Sequence, residues 1–330
     1  MKELQKTLQN NQFRNLYKIK TILIDMEYDV IIIGTGPAGY TAGIYSLRSG
    51  LSVLIIGEKF GGTLSEAAHV ENYPGFEAIS GPELMQKMYD QVLKLGAKLE
   101  GDIVKEIKKE ENLFKVITFG GEFIGKTLII ATGTKKLRLN LNNERKFTGR
   151  GISYCTTCDG PMYKEKTVAV IGGAFGALMS SEYLENFKNK VYLIARHDIH
   201  GEKVVEDRVL ENKNIEILRN TEVIELIGEN KLEKIKVKNN ETNEERKIEL
   251  DGIFVEIGAT PVTELVKSLG VEVDEKGFIK VAKDQSTNIK GIFAAGDITT
   301  NSNFIRQVSC AIGEATVAAL SVYDYLKKLN

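Results

Sequence analysis

Tryptophan is absent from the 330 residues, and only three histidines, three cysteines and five prolines are present. So few cysteines exclude a disulfide-stapled secreted scaffold for a chain this long. An excess of charge is missing as well. The 44 basic residues face 45 acidic ones, and a formal net charge of -1 excludes nucleic acid or an anionic membrane as the default partner. No apolar run approaches the roughly 18 residues of a membrane span, because the candidates around Val30 and Val168 are broken by glycines. The first 27 residues carry Lys2, Glu3, Lys6, Arg14, Lys18, Lys20, Asp25 and Glu27, and their longest apolar run, Ile22 to Ile24, is too short for a signal peptide. A cytoplasmic protein is expected, with residues 1-25 a frayed or helical N-terminal extension and Met26 an alternative start.

What is present belongs to a globular α/β protein. Hydrophobic residues make up 42% and charged residues 27%, both signs interspersed, and the length predicts two domains. Tyr28 to Ile33 reads as a strand, runs into GTGPAG at 34-39, continues as a helix to Arg48 and meets a second strand at Val53 to Ile56. That is a βαβ unit. A helix follows from Pro82 to its stop at Gly96, with Leu84, Met85, Met88, Val92 and Leu95 at helical spacing, and then strands around 113-119 and 127-131. A second βαβ pattern begins at Thr167 to Ile171, turns through GGAFGA at 172-177, and resumes as a strand at Val191 to Ile194. Strands occupy roughly 214-256, a buried strand ends in GIFAAGD at 291-297, and a helix from about Arg306 to Leu326 closes the chain. Without a low-complexity linker, domain boundaries must fall at tight turns near 134-140 and 258-262. Lysine-rich stretches near 105-109 and 231-238 alternate with acids and read as solvated faces.

The first turn carries dinucleotide chemistry. Gly34 allows the tight exit from the strand, Gly36 lets backbone approach a pyrophosphate, Gly39 lets helix and strand pack closely, and the helix N-terminus offers amides to phosphate. Glu58, just past the second strand, is placed to accept from a ribose hydroxyl. The second turn is degraded: Gly172 remains, Ala174 replaces the close-approach glycine, Phe175 adds a ring, and Ala195 stands where an acid would bind an NAD ribose, with Arg196 as one possible phosphate ligand. Cys155 and Cys158, spaced C-x-x-C with Asp159 beside them, point to a redox disulfide. A pair of buried thiols is the bland alternative. Zinc would need two more ligands, and Cys310, His69, His197 and His200 form no second paired motif, so no metal is expected. Cys310 reads as a small packed residue and His69 as a loop polar residue.

The order GTGPAG, ENYPG at 71-75, ATG at 131-133, CTTCDG at 155-160, a second glycine turn, GIFAAGD and RQV at 306-308 resembles the low-molecular-weight bacterial thioredoxin reductases from about Glu27 to the end. The resemblance implies two Rossmann-like nucleotide-binding domains of the FAD/NAD(P)-binding fold, the second inserted in the first. The FAD-binding domain would be 26-136 and 259-330, and the redox-disulfide domain, of a degenerate NADPH type, 137-258. By the same resemblance Gly34, Gly36, Pro37, Ala38, Gly39, Glu58, Ala131, Thr132, Gly133 and Gly296 would line the cofactor. Asn72 would lie beside the flavin, Asp297 would hold the ribitol, and Arg306, Gln307 and Val308 would approach the pyrimidine. Gly62 and Thr63 fall in a Gly-Gly-Gln turn, with Thr63 a departure from the family's glutamine. Cys158 would face the flavin, Cys155 would attack the partner disulfide, and Asp159 would move a proton.

The electron donor departs from the commoner pattern. NADPH-using members show HRRxxxR after the second unit's next strand; here Ala195-Arg196-His197-Asp198-Ile199-His200-Gly201 loses two of three arginines. At roughly 1.5-3 kcal/mol per charge-assisted hydrogen bond, NADPH would weaken by about a hundred-fold to ten-thousand-fold. The stretch reads more as a solvated turn than a phosphate clamp, although His197, His200 and Lys203 offer partial replacements. The combination is similar to the ferredoxin-dependent flavin thioredoxin reductases, which implies reduced ferredoxin as donor, thioredoxin as acceptor, a homodimer, and rotation between domains. NADPH-dependent thioredoxin reductase, a flavin dithiol oxidase using oxygen, and a non-catalytic flavin-binding module are the alternatives.

Overall fold

The computed structural model describes residues 27-67, 70-301 and 305-329. The N-terminal extension and His69 lie outside them. The chain divides into two compact units: one runs up to Ser65, over Val70–Thr134 and from Pro261 on, and the other comprises Lys135–Thr260, with Glu66 joining it.

The first unit begins with β1 (Glu27–Ile33), α1 (Pro37–Arg48), β2 (Val53–Ile56), a single 3-10 turn (Gly62–Glu66), α2 (Gly81–Lys94) and β3 (Lys98–Glu100). Residues 30-33 of β1 are all buried and apolar, as expected of a parallel strand covered on both faces. It pairs in parallel with β2 on one side and with β6 (Glu122–Ile130) on the other. Ser80 caps α2 by accepting from the Glu83 N–H, Pro82 sits in its first turn, and Gly96 at φ 95° marks the end. Between β3 and β6 come β4 (Val104–Glu110) and β5 (Leu113–Thr118), an antiparallel pair whose lysines face solvent. β6 changes partner along its length: its first half pairs antiparallel with β5, its second half parallel with β17 (Ile292–Ala294).

Past β7 (Thr134–Lys136), the second unit holds α3 (Glu144–Phe147), β8 (Ile152–Ser153), α4 (Thr156–Asp159), β9 (Thr167–Ile171), α5 (Phe175–Glu185), β10 (Lys190–Ile194), α6 (Lys203–Glu211) and β11 (Ile215–Leu218). An antiparallel meander follows, β12 (Thr221–Ile227), β13 (Lys234–Asn239) and β14 (Glu245–Glu249), and then β15 (Gly252–Val255). The strand order β11-β10-β9-β15-β8 is parallel throughout, with one apolar cluster on each face. β16 (Ala259–Pro261) pairs with β7, and α7 (Glu264–Lys267), β17 and α8 (Val308–Lys327) complete the first unit. There α1, α2 and α8 share one apolar cluster with one face of the sheet. Gly43 of α1 has no room for a β-carbon, which would lie 2.6 Å from Ile55 Cδ1. No described helix is long and apolar enough to cross a membrane.

Candidate functional site

Two features converge on function: the glycine turn of the first unit and the cysteine pair of the second. At the first, Gly34 leaves β1 at φ 129°, and a β-carbon on it would collide with the Ala131 carbonyl; one on Gly39 would collide with the Gly34 carbonyl. Packing alone demands glycine at both. Gly36 is different. It caps α1 in an extended conformation, and the nearest atom to its missing β-carbon is Gly62 Cα at 4.0 Å. Nothing in the chain requires glycine there, whereas a phosphate resting on the backbone does. The α1 N-terminus has no side-chain cap and no acidic residue in its first turn, so its amides and dipole face outward unopposed.

Several of the other residues implied by the resemblance border this turn or one another. Gly62, at φ 57°, stands opposite Gly36, while Thr63 and Glu58 are exposed nearby in sequence. Ala38 is buried against Gly296, whose β-carbon would lie 2.9 Å from the Ala38 methyl carbon. Ala131 donates to the Ile33 carbonyl, Thr132 Oγ1 to the Val262 carbonyl at 2.8 Å, and the Gly133 carbonyl accepts from Val262 at 3.1 Å. Asn72 Nδ2 donates to Gln307 Oε1 at 3.1 Å across 235 positions of sequence, placing Val308 at the start of α8 beside the pair. Arg306 Nη1 donates to the Asp297 carbonyl at 2.7 Å and its guanidinium lies 4.2 Å from the Phe278 ring centre. Burial holds the Asp297 carboxyl above its ordinary value, with Arg306 opposing and Glu314 adding to the rise. This set fits FAD: an open glycine for the pyrophosphate, an uncapped helix end, and a buried carboxylate that hydroxyl donors would satisfy.

Glu314 was not among the expected residues. It lies 7% exposed in α8, and its Oε2 accepts from the Gly296 N–H at 2.9 Å and Thr299 Oγ1 at 2.7 Å, shaping the turn that carries Asp297. An available signal was an acid at a core position in the helical stripe Ala311, Ala315, Ala318 and Val322.

In the second unit Cys155 and Cys158 form a disulfide, with Cα atoms 5.3 Å apart. β8 delivers the chain to it. Ser153 Oγ accepts from the Cys155 N–H at 3.0 Å, Cys155 caps α4, and the Cys158 N–H points at Cys155 Sγ from 3.2 Å. Cys155 is half-buried, Cys158 exposed, and Asp159 half-buried behind them. Two carboxylates, one buried and one half-buried, flank this turn. Glu144, 5% exposed, accepts from the Tyr154 hydroxyl and from the Leu139 and Asn140 amides at 2.8 Å each. Burial, then Glu144, hold the Tyr154 phenol far above its ordinary value. On the other side Thr156 Oγ1, between the cysteines, approaches Ser180 Oγ at 3.0 Å and Glu256 Oε1 at 3.4 Å.

The degraded second turn keeps the backbone of the first. Gly172 leaves β9 at φ 146°, and a β-carbon there would strike the Glu256 carbonyl. Ala174 caps α5 without a side-chain hydrogen bond. Phe175, the first residue of α5, is half-buried, packs against the apolar cluster of Val168, Val191 and Leu178, and has its ring edge beside Gly201. The stretch after β10 is bound to the chain itself. His200 N–H donates to the Gly173 carbonyl at 2.8 Å, Arg196 pairs with Glu222 at 3.3 Å, Asp198 with Arg219 at 2.7 Å, and Lys203 with Asp207 at 2.6 Å. Cys310 is half-buried in the first turn of α8.

Residues 28–315 match the family model described as pyridine nucleotide-disulphide oxidoreductase. A thioredoxin reductase of Bacillus subtilis is 38% identical over 308 residues, covering 92% of this chain and 96% of that protein. The structure of thioredoxin reductase from Lactococcus lactis superposes with a TM-score of 0.88 at 35% identity, over 91% of this chain and 99% of that one. A ferredoxin-flavin thioredoxin reductase from Clostridium acetobutylicum matches 92% of this chain and 99% of its own, at 33% identity and a TM-score of 0.50. The chain belongs to the pyridine nucleotide-disulphide oxidoreductase family, and with its CxxC disulfide it is an FAD-dependent disulfide oxidoreductase of the low-molecular-weight thioredoxin reductase type.

Proposed function

We propose that this enzyme reduces thioredoxin with electrons taken from reduced ferredoxin, through FAD and the Cys155–Cys158 disulfide. One observation carries the choice of donor: after β10 two of the three arginine positions of a 2′-phosphate clamp are lost, and the basic side chains Arg196 and Lys203 are paired with acids. His197 and Gly201 replace arginines, and Arg196 and Lys203 are engaged with Glu222 and Asp207. Bound FAD supplies the conversion between single electrons from a carrier protein and the pair that a disulfide needs.

The chain's own residues account for the rest. Gly34, Gly36 and Gly39 with the α1 amides would hold the pyrophosphate; Asp297, shaped by Glu314 and Arg306, would orient the ribitol; Asn72 and Gln307 would meet the ring's polar edge. Two electrons and two protons open Cys155–Cys158 to two thiols. Cys155, whose sulfur the Cys158 amide supports as thiolate, attacks the thioredoxin disulfide. The released substrate thiolate takes a proton, for which Asp159 is the nearest acid in sequence. Cys158 then attacks Cys155 Sγ, expels the second substrate thiol and re-forms the disulfide.

Anaerobic stopped-flow mixing with NADPH, NADH and photoreduced ferredoxin tests the reading by the flavin's visible absorbance. Bleaching by ferredoxin alone, followed by reduction of added thioredoxin, is expected. Fast bleaching by NADPH overturns the donor and leaves a nicotinamide-dependent enzyme.

A further inference from the structure

Open α/β sheets take nucleotides in the crevice beyond the carboxyl ends of their strands, where successive connections leave in opposite directions. In the second unit that crevice lies between β9, whose chain continues to β10 on one side, and β15 on the other. β15 ends at Val255, and the next residue is Glu256. Its N–H donates to the Ile171 carbonyl at 2.8 Å, which sets it directly beside the glycine turn.

The Glu256 side chain lies along the first turn of α5. Its Oε2 is 3.8 Å from where a β-carbon of Gly176 would be, and its Oε1 accepts from Ser180 Oγ at 3.3 Å. Gly176 and Ser180 are four apart and share one helix face, so the carboxylate spans that face next to an uncapped N-terminus with no acid of its own. Lys136 Nζ is 2.9 Å from Oε1, with Glu66 the second carboxylate near that ammonium at 3.8 Å. The Lys136 and Glu256 side chains are only 22% and 16% exposed. The positive helix end and a nearby cation, the two elements that would recruit a dinucleotide phosphate, thus already serve an internal anion.

We propose that Glu256 is a specificity-determining residue that bars nicotinamide nucleotides by acting as a surrogate anion at the second turn. This rests on the reading that the electrons come from a protein carrier. Replacing Glu256 by glutamine keeps an oxygen to accept from Lys136, Thr156 and Ser180, removes the negative charge beside the turn, and leaves Glu66 as the carboxylate near the lysine.

The test is calorimetric titration of NADPH and NADH into the oxidised, flavin-loaded protein, wild type and Glu256→Gln, at low and raised salt. The variant should bind both nucleotides about tenfold more tightly or better, with a gain that shrinks as salt screens the charge. A gain of similar size for both nucleotides is expected, because they share the pyrophosphate and differ at the 2′-phosphate. Weak binding by wild type and variant alike overturns the role of Glu256 and leaves the donor assignment standing. Tight NADPH binding by the wild type overturns both. Should Glu256→Gln lose its flavin or its cooperative melt, Glu256→Ala poses the same question without a buried amide, and the same outcomes decide it.

Discussion

The two glycine turns of this enzyme share a backbone and differ in what surrounds it. Both leave a buried parallel strand through a glycine at positive φ, Gly34 and Gly172, and both strike a neighbouring strand's carbonyl if given a β-carbon. Both open helices without a side-chain cap. At the first turn the space beside Gly36 is open, with Gly62 Cα the nearest described atom. At the second, Ala174 fills the equivalent position, the 196-201 stretch is tied down by its own partners, and Glu256 supplies a carboxylate. Strand-turn-helix geometry is therefore a property of the fold, and ligand choice lives in residues that arrive from elsewhere.

The comparison breaks most visibly at the cysteines. Cys158→Ser should lower thioredoxin reduction by about a thousand-fold or more, since exchange needs both sulfurs, while the donor still bleaches the flavin. Equal loss of both activities would mean that the units do not divide the work. Next come paired substitutions at the third helical residue of each turn. Gly39→Ala should cost about 1-3 kcal/mol by overpacking against Gly34 and release flavin; Ala177→Gly should cost about 1 kcal/mol of helix propensity and keep it. Urea unfolding with the flavin-to-protein ratio reads both, and flavin loss from both variants would remove the distinction.

Asp297 sharpens the comparison through pH. Its carboxyl is raised by burial, so the folded, flavin-free protein binds this proton more tightly than the unfolded chain does, and stability falls as pH rises from the ordinary value of 3.8 through the raised one. Flavin-free Asp297→Asn should melt above wild type at neutral pH, and the gap should close below pH 3.8, while the variant binds FAD less well. A gap independent of pH would assign the effect to packing. The smallest effect is expected at Tyr154→Phe, about 1 kcal/mol in urea unfolding, because Glu144 keeps two backbone donors after the hydroxyl is lost.

Much of this was legible locally. A β-branched run ending in Gly34-x-Gly36-x-x-Gly39 specifies strand, turn and helix through φ and close approach; Ser80, Pro82 and Gly96 bound α2 by capping chemistry. The two nucleotide-fold openings and the cysteine spacing were equally readable. Two buried glutamates and a half-buried one were not. Glu144, Glu256 and Glu314 meet partners that the fold brings in, such as Lys136 to Glu256 across 120 positions, and a lone acid in a sequence looks like surface until those partners are placed.

β8 carries a consequence of its own. It is two residues long, sits at the edge of its sheet, and pairs with β15 through Ile152 opposite Ile253 and Ser153 opposite Phe254. An edge this short opens at a small fraction of the cost of unfolding β9, which is flanked on both sides. Amide hydrogens from Tyr154 to Asp159 should therefore exchange with deuterium long before those of β9. The disulfide hangs from this short edge rather than from the strand between two others, which gives its two sulfurs the freedom to separate and rejoin at each turnover while the sheet behind them stays shut.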